Sequence, residues 1–325
     1  MEEYGRFWPK KLEKDCDRMI EDVVRLKLPA GEDFAVQKNS IIGEAGEGKR
    51  LCIITGTHGD ELEGQYVAFQ LARLLEKKKT RLRGQVDIYP SLNPMGISTI
   101  YRGLPGFDLD MNRIFPGSEK GSMYEYVAHR IVESISGADL AIDIHASNIF
   151  LRELPQIRIN EKTANQLVPM SKAMNMDLVW VHSAATVLES TLAWSLNSTG
   201  TPCLVVEMGV GMRLTIAYGD KLVAGILATM VNMGMLLEKA PSVGQPIVST
   251  DGHVGFVNAN QSGIFMPVVP HGCRIHQGQT LGVIADSLTG KVREELKSPT
   301  TGLLFTLREY PVVLEGSLIA RVLEV

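Results

Sequence analysis

The stretch LCIITGTHGDELEG runs from Leu51 to Gly64 and changes character twice. Leu51 to Thr55 is a short, partly β-branched apolar run, which predicts a buried strand. Gly56 to Gly59 reads as a tight loop. ELEGQYVAFQLARLLEKKK (61–79) then reads as a helix whose closing lysines suit the negative end of its dipole. Strand, loop and helix in that order are the first half of an α/β unit. His58 and Glu61 fall three residues apart where the strand turns into the helix.

The alternation recurs along the chain. QVDIYPSLNP (85–94), ADLAIDIHAS (138–147) and TPCLVVEMGVG (201–211) read as strands, while MYEYVAHRIVESIS (123–136) and the apolar segment 221–238 read as helices. Apolar strands interleaved with helices predict an α/β sheet covered on both faces. Residues 10–27 carry apolar side chains at roughly helical spacing (Leu12, Met19, Ile20, Val23, Val24) and predict an amphipathic opening helix. After the linker-like EKAPSVGQP (238–246), short alternating runs punctuated by glycine predict a small all-β domain. The expected division is a catalytic domain over 1–243 and a β domain over 244–325.

The bulk properties narrow the function. A formal net charge of -4, from 33 Lys and Arg against 37 Asp and Glu, offers no basic face for a phosphate backbone, so nucleic acid is not expected as a partner. Cys16, Cys52, Cys203 and Cys273 form no CxxC pair, which argues against a disulfide framework or thiolate metal site and fits a reducing cytoplasm. The charged opening segment is unlike a secretory signal. Leu222 to Leu237, the longest apolar stretch, is short for a membrane span and contains Asn232, so no membrane segment is expected.

Ligands of open α/β sheets bind at the carboxyl ends of the strands, where His58, Glu61, Asn93, His145 and Glu207 would converge. A histidine and a glutamate at i and i+3 can face one metal ion from a loop and a first helical turn. Zinc accepts imidazole nitrogen and carboxylate oxygen, and a catalytic site has three protein ligands and one open position. His145 in DIHAS is the strongest candidate for the third ligand, and Asp143, two residues earlier on the same strand face, would either orient it or cap the strand end. Glu207 ends a buried strand, where desolvation raises a carboxyl pKa and makes a usable general base; the plainer alternative is a buried salt bridge. His129 and His182 read as helical or core residues, and His253, His271 and His276, in the β domain without acidic company at ligand spacing, read as structural or surface residues. Ser183 and Ser190 lack the GxSxG turn of a serine hydrolase.

GTHGDELEG, NPMG, DLDMNRIFPG, DIHAS and VVEMG occur in the order in which they stand in the succinylglutamate desuccinylase/aspartoacylase family, and over 51–211 the chain resembles it. The resemblance implies a zinc carboxypeptidase-like fold, a mixed sheet flanked by helices. It implies one zinc ion per chain on His58, Glu61 and His145, with Glu207 activating the zinc-bound water. It also implies Asn112 and Arg113 holding a substrate carboxylate, and an upstream arginine steadying the oxyanion. Arg102 stands ten positions before Asn112, a longer spacing than in aspartoacylases and desuccinylases. The longer loop is similar to the broad deacylase-like branch, whose substrates vary. The last third resembles a biotinyl/lipoyl-type β-sandwich, but DSLTG (286–290) replaces the Met-Lys-Met hairpin, so Lys291 is not expected to carry a prosthetic group. Such a domain restricts access to the active site or supports a homo-oligomer.

The expected activity is removal of an acyl group from an N-acylated amino acid or related small carboxylate-bearing amide. The alternative is a metallocarboxypeptidase acting on short peptides; a catalytically inactive metal-binding sensor is a third reading, which the presence of Glu207 disfavours. The pocket walls are expected from loops 95–117, 148–165 and 183–195.

Overall fold

The computed structural model describes residues 19–182, 189–250 and 253–324. Its strands are β1 (Met19–Lys27), β2 (Asp33–Ile42), β3 (Arg50–Thr55), β4 (Gln85–Tyr89), β5 (Leu140–Ala146), β6 (Leu151–Asn160), β7 (Leu178–His182), β8 (Cys203–Gly209) and β9 (Ile247–Thr250). The C-terminal part adds β10 (Val254–Asn258), β11 (Gly263–Pro267), β12 (Arg274–Ile275), β13 (Thr280–Asp286), β14 (Lys291–Lys297), β15 (Gly302–Arg308), β16 (Val312–Val313) and β17 (Leu318–Glu324). The helices are α1 (Glu63–Glu76), α2 (Pro94–Thr99), α3 (Met123–Ile135), α4 (Ala164–Ser171), α5 (Leu192–Ser198) and α6 (Ile216–Asn232).

The central sheet runs β1-β2-β4-β3-β5-β8-β6, with β4, β3, β5 and β8 mutually parallel and β1, β2 and β6 antiparallel to their neighbours. It is a mixed sheet. Side-chain alternation along β3 explains why both faces are covered. Leu51 and Ile53 join one core with Val67 and Leu71 of α1 and Leu222 and Ile226 of α6. Cys52 and Ile54 join the opposite core with Val127 and Ile131 of α3 and Leu192 and Leu196 of α5. No described helix is long and apolar enough to cross a membrane.

The opening segment differs from expectation. Met19–Lys27 is a strand paired antiparallel with β2, not the end of a helix, and 10–18 lie outside the described residues. A register shift between Asp22 and Val24 lets the adjacent Val23 and Val24 both turn inward, which imitates helical spacing in the sequence. Residues 151–160, expected as part of a loop, form β6. Residues 183–188, expected to wall the pocket, lie outside the described residues.

The C-terminal β region is two sheets face to face, β14-β13-β11-β16 against β15, β17 and β10, around Leu281, Ile284, Leu304 and Val322. It continues the central sheet. β15 pairs antiparallel with β6, and β9 pairs parallel with β7. Leu178 and Trp180 share a core with Phe305 and Leu323 across this seam, and each such side chain contributes about 1.5–3 kcal/mol on burial. That is enough to fix the last strands against the site.

Candidate active site

The site sits at the carboxyl ends of β3, β5 and β8. Gly56, with φ of +67°, turns the chain sharply out of β3, and a side chain at Gly64 would collide with Thr55 Oγ1, so the start of α1 presses on the strand end. His58 and Glu61 occupy the loop between them; Glu61 lies just before the helix rather than in its first turn. Register places His145 of β5 opposite Glu207 of β8. Alternation then turns Asp143, His145, Val205 and Glu207 to the α5 side, where Thr191 and Ala193 line the same cavity.

Glu61 bridges the two histidines. Its Oε1 lies 2.8 Å from His58 Nδ1 and its Oε2 2.9 Å from His145 Nδ1. The far ring nitrogens are also held: His58 Nε2 is 3.0 Å from Asp110 Oδ1, and His145 Nε2 is 3.1 Å from Asp143 Oδ2. Ligand atoms of His58, Glu61 and His145 all lie within 4.8 Å of one another, and all three residues are buried. His58 Nδ1 is buried and, although 2.8 Å from Glu61 Oε1, makes no hydrogen bond among the described residues. Two imidazole nitrogens and a carboxylate drawn together and backed by two aspartates match the donor set and outer support that a zinc ion takes. The residues fit the metal.

The charges follow the same plan. Burial alone would lower the pKa of His145, but the neighbouring Asp143 and Glu61 carboxylates hold it well above the usual range. Burial would raise Asp110, yet its hydrogen bond with His58 brings it down to about 2. Glu207 goes the other way: burial pushes it up to about 7, against the pull of Arg158.

The remaining expected residues divide. Arg102 lines the cavity and donates to Glu61 Oε1 at 2.6 Å, with its other arm 3.2 Å from His58 Nε2; Glu61 is its close carboxylate partner. Asn112 is buried at the cavity edge, and its Oδ1 accepts from the Leu192 backbone at 3.0 Å. Arg113 reaches the cavity, donates to the Asn112 carbonyl, and has no carboxylate partner among the described residues. Asn93 does not join them. It caps α2 through Gly96 N and donates to Gly103 O, which holds the loop carrying Arg102. Glu207 lines the cavity and accepts from Arg158 at 3.2 Å, the buried ion pair of its plainer reading. Glu153, Arg158 and Arg321 also line the cavity and were missed. The available signal was charge at Glu153 and Arg158 inside the strand LRELPQIRIN (151–160).

The sequence model described as the succinylglutamate desuccinylase/aspartoacylase catalytic domain matches residues 47–232. A curated relative, the N-alpha-acetyl-L-2,4-diaminobutyric acid deacetylase of Halomonas elongata, is 24% identical over 322 residues, covering 92% of this chain and 90% of that protein. The product-bound ectoine utilization protein EutE (DoeB) from Ruegeria pomeroyi superposes with a TM-score of 0.80 at 20% identity, covering 97% of this chain and 98% of that one. A succinylglutamate desuccinylase from Silicibacter sp. TM1040 gives a TM-score of 0.82 at 19% identity, covering 96% and 97%. At these identities the two structures speak for the fold; the family match, over more than half of the chain, speaks for descent. The chain belongs to the succinylglutamate desuccinylase/aspartoacylase family.

Proposed function

We propose that the protein is a zinc-dependent amide hydrolase that removes the acyl group from an N-acylated amino acid or a related small carboxylate-bearing amide, with one zinc ion per chain held by His58, Glu61 and His145. The observation that carries this reading is one cavity, of about 500 Å³, lined by those three residues together with Glu207, Arg102, Asn112 and Arg113. Its size suits a small molecule. When bound, zinc polarises the scissile carbonyl and lowers the pKa of water to ~7.

Glu207 takes a proton from the attacking water and passes it to the departing amine, so amide and water become carboxylate and amine. A carboxyl pKa near the working pH suits both transfers. Arg113 offers a planar fork to the substrate carboxylate, and Asn112, tied to Leu192, fixes the backbone beside it. Arg102 spends one contact on Glu61 and stands where its other N–H groups steady the developing oxyanion. The deacetylase name of the Halomonas relative supports an acyl-amino-acid substrate. Free Cys52, Cys203 and Cys273 support a reducing compartment, and we place the enzyme in the cytoplasm. Residues 1–243 would then be the catalytic domain, and 244–325 a β domain that completes its wall.

The test is hydrolysis of a panel of N-acyl amino acids and short peptides with zinc present, after chelation, and by Glu207→Gln. Loss on chelation, return with zinc and loss in the variant support the reading. Cleavage of peptides in preference to acyl amino acids would instead make it a carboxypeptidase, and absence of bound metal would overturn the mechanism.

A further inference from the structure

The inner wall of the cavity is a chain of charged side chains that crosses from the C-terminal strands to the general base. Glu153 is its centre, with a side chain only 1% exposed. Its Oε2 accepts from Gln156 at 2.7 Å and from Arg158 Nη2 at 2.6 Å, while its Oε1 accepts from Arg321 Nη1 at 2.6 Å. The other arm of Arg158, Nη1, donates to Glu207 at 3.2 Å. Both guanidiniums pack on Trp180, 5.8 Å and 5.5 Å from the ring centroid, and Arg321 lies 5.8 Å from the Phe256 ring as well.

An arginine beside a carboxylate favours the two-bonded fork, each arm on its own oxygen. Arg158 and Glu153 do not form it, because Arg321 already holds Glu153 Oε1. Arg158 keeps one arm on Oε2 and has the other left for Glu207. Its two distances, 2.6 Å and 3.2 Å, show which carboxylate pulls harder. Without Arg321, nothing on Oε1 would oppose the turn of Arg158 onto Glu153.

We propose that Arg321 is a positioning residue: by occupying Glu153 Oε1 it keeps Arg158 divided between Glu153 and Glu207, and so fixes the Glu207 carboxyl for proton transfer. The inference rests on the reading of Glu207 as the general base. It gives β17 a part in the chemistry beyond closing the cavity.

The experiment compares Arg321→Gln, Arg321→Lys, Arg158→Lys and the Arg321→Gln/Arg158→Lys double variant, each with zinc content, melting temperature, kcat and KM, together with a crystal structure of Arg321→Gln. Displacing the base by part of an ångström lowers kcat about tenfold to hundredfold in Arg321→Gln, with KM close to wild type. Arg321→Lys, which keeps one donor for Oε1, recovers most of the rate. Arg158→Lys reproduces the loss, and the double variant is no slower than Arg158→Lys, because Arg321 acts only through the divided guanidinium. In the crystal structure Arg158 bonds both oxygens of Glu153 and has left Glu207.

Unchanged kcat, losses that multiply in the double variant, or Arg158 still bridging to Glu207 each overturn the proposal. A raised KM with unchanged kcat overturns it too, by making Arg321 a substrate contact. If Arg321→Gln does not fold, the Arg321→Lys and Arg158→Lys kinetics decide. A wild type inactive on the whole panel defeats the functional reading instead, and the position of Arg158 in the crystal then decides the arrangement alone.

Discussion

Glu207 on β8 accepts its hydrogen bond from Arg158 on the neighbouring β6, 3.2 Å away. That contact favours the carboxylate, but burial outweighs it and lifts the pKa to about 7. In the general-base role proposed for it, Glu207 works only when ionised. The raised value therefore predicts that kcat/KM falls about tenfold per pH unit below ~7 and levels off above it. Rates from pH 5 to 9 on one substrate check this; a limb near pH 4.5, the ordinary glutamate range, would contradict it. Glu207→Gln loses about 10² to 10⁴ in kcat at every pH.

Holding Glu61, His58 and His145 together without a cation leaves buried polar groups facing one another, and His58 Nδ1 without a hydrogen bond. A metal that binds only the folded chain stabilises it by mass action. Free zinc at a hundred times its Kd adds about 2.7 kcal/mol, so chelation lowers the melting temperature and added zinc restores it. His145→Ala abolishes both the zinc-dependent rise and the bound metal. Calorimetry with and without chelator is the measurement.

Asp143 touches His145 Nε2 at 3.1 Å and is itself 1% exposed. In the proposed zinc site that contact would fix which ring nitrogen faces the metal. Asp143→Asn can keep the shape while weakening that hold, and is expected to reduce zinc affinity about 10- to 100-fold while leaving the fold intact. Competition with a chromophoric chelator reads this directly. Asp110, on His58, predicts the same direction for Asp110→Asn.

How much of this was legible in the sequence depends on how local the cause is. β3, β5 and β8 announce themselves as apolar runs, and the polar residues nominated for the site stand at or just beyond their carboxyl ends. Hence His58, Glu61, His145 and Glu207 could be nominated before any geometry was known, and one cavity is lined by all four. Met19–Lys27 misled because a bulge at Asp22 to Val24 sends neighbouring valines the same way, which periodicity counts as helix. Arg321 could not be read at all. Its partner Glu153 lies 168 residues earlier, and only the pairing of β15 with β6 and β17 brings them together. Asn93 shows the converse error: a polar residue after a strand can serve a helix cap rather than a ligand.

Gly64 tests the local cause from the stability side. A methyl group there meets Thr55 Oγ1 and Cβ, both fixed at the end of the buried β3. Gly64→Ala is expected to cost about 1–3 kcal/mol by overpacking, visible as an earlier denaturation midpoint. Because the same contact seats the loop of His58 and Glu61, zinc affinity should fall in parallel. A stability loss with unchanged zinc binding would show that the loop is held by other contacts.

Arg113 separates a carboxylate-reading site from a general amidase. It lines the cavity and, among the described residues, its guanidinium has no acidic partner, so its fork is open to a ligand. A hydrogen bond to a charged group is worth about 1.5–3 kcal/mol, so Arg113→Ala should lower kcat/KM for an N-acyl amino acid about 10- to 150-fold. If that contact is equally strong in ground and transition states, the loss appears in KM. Arg113→Lys keeps the charge but not the fork and should recover only part. The deciding comparison is the substrate's own primary amide, which has no carboxylate. Wild type should discriminate strongly against it and Arg113→Ala hardly at all. Equal discrimination in both would mean that the carboxylate is read elsewhere in the cavity.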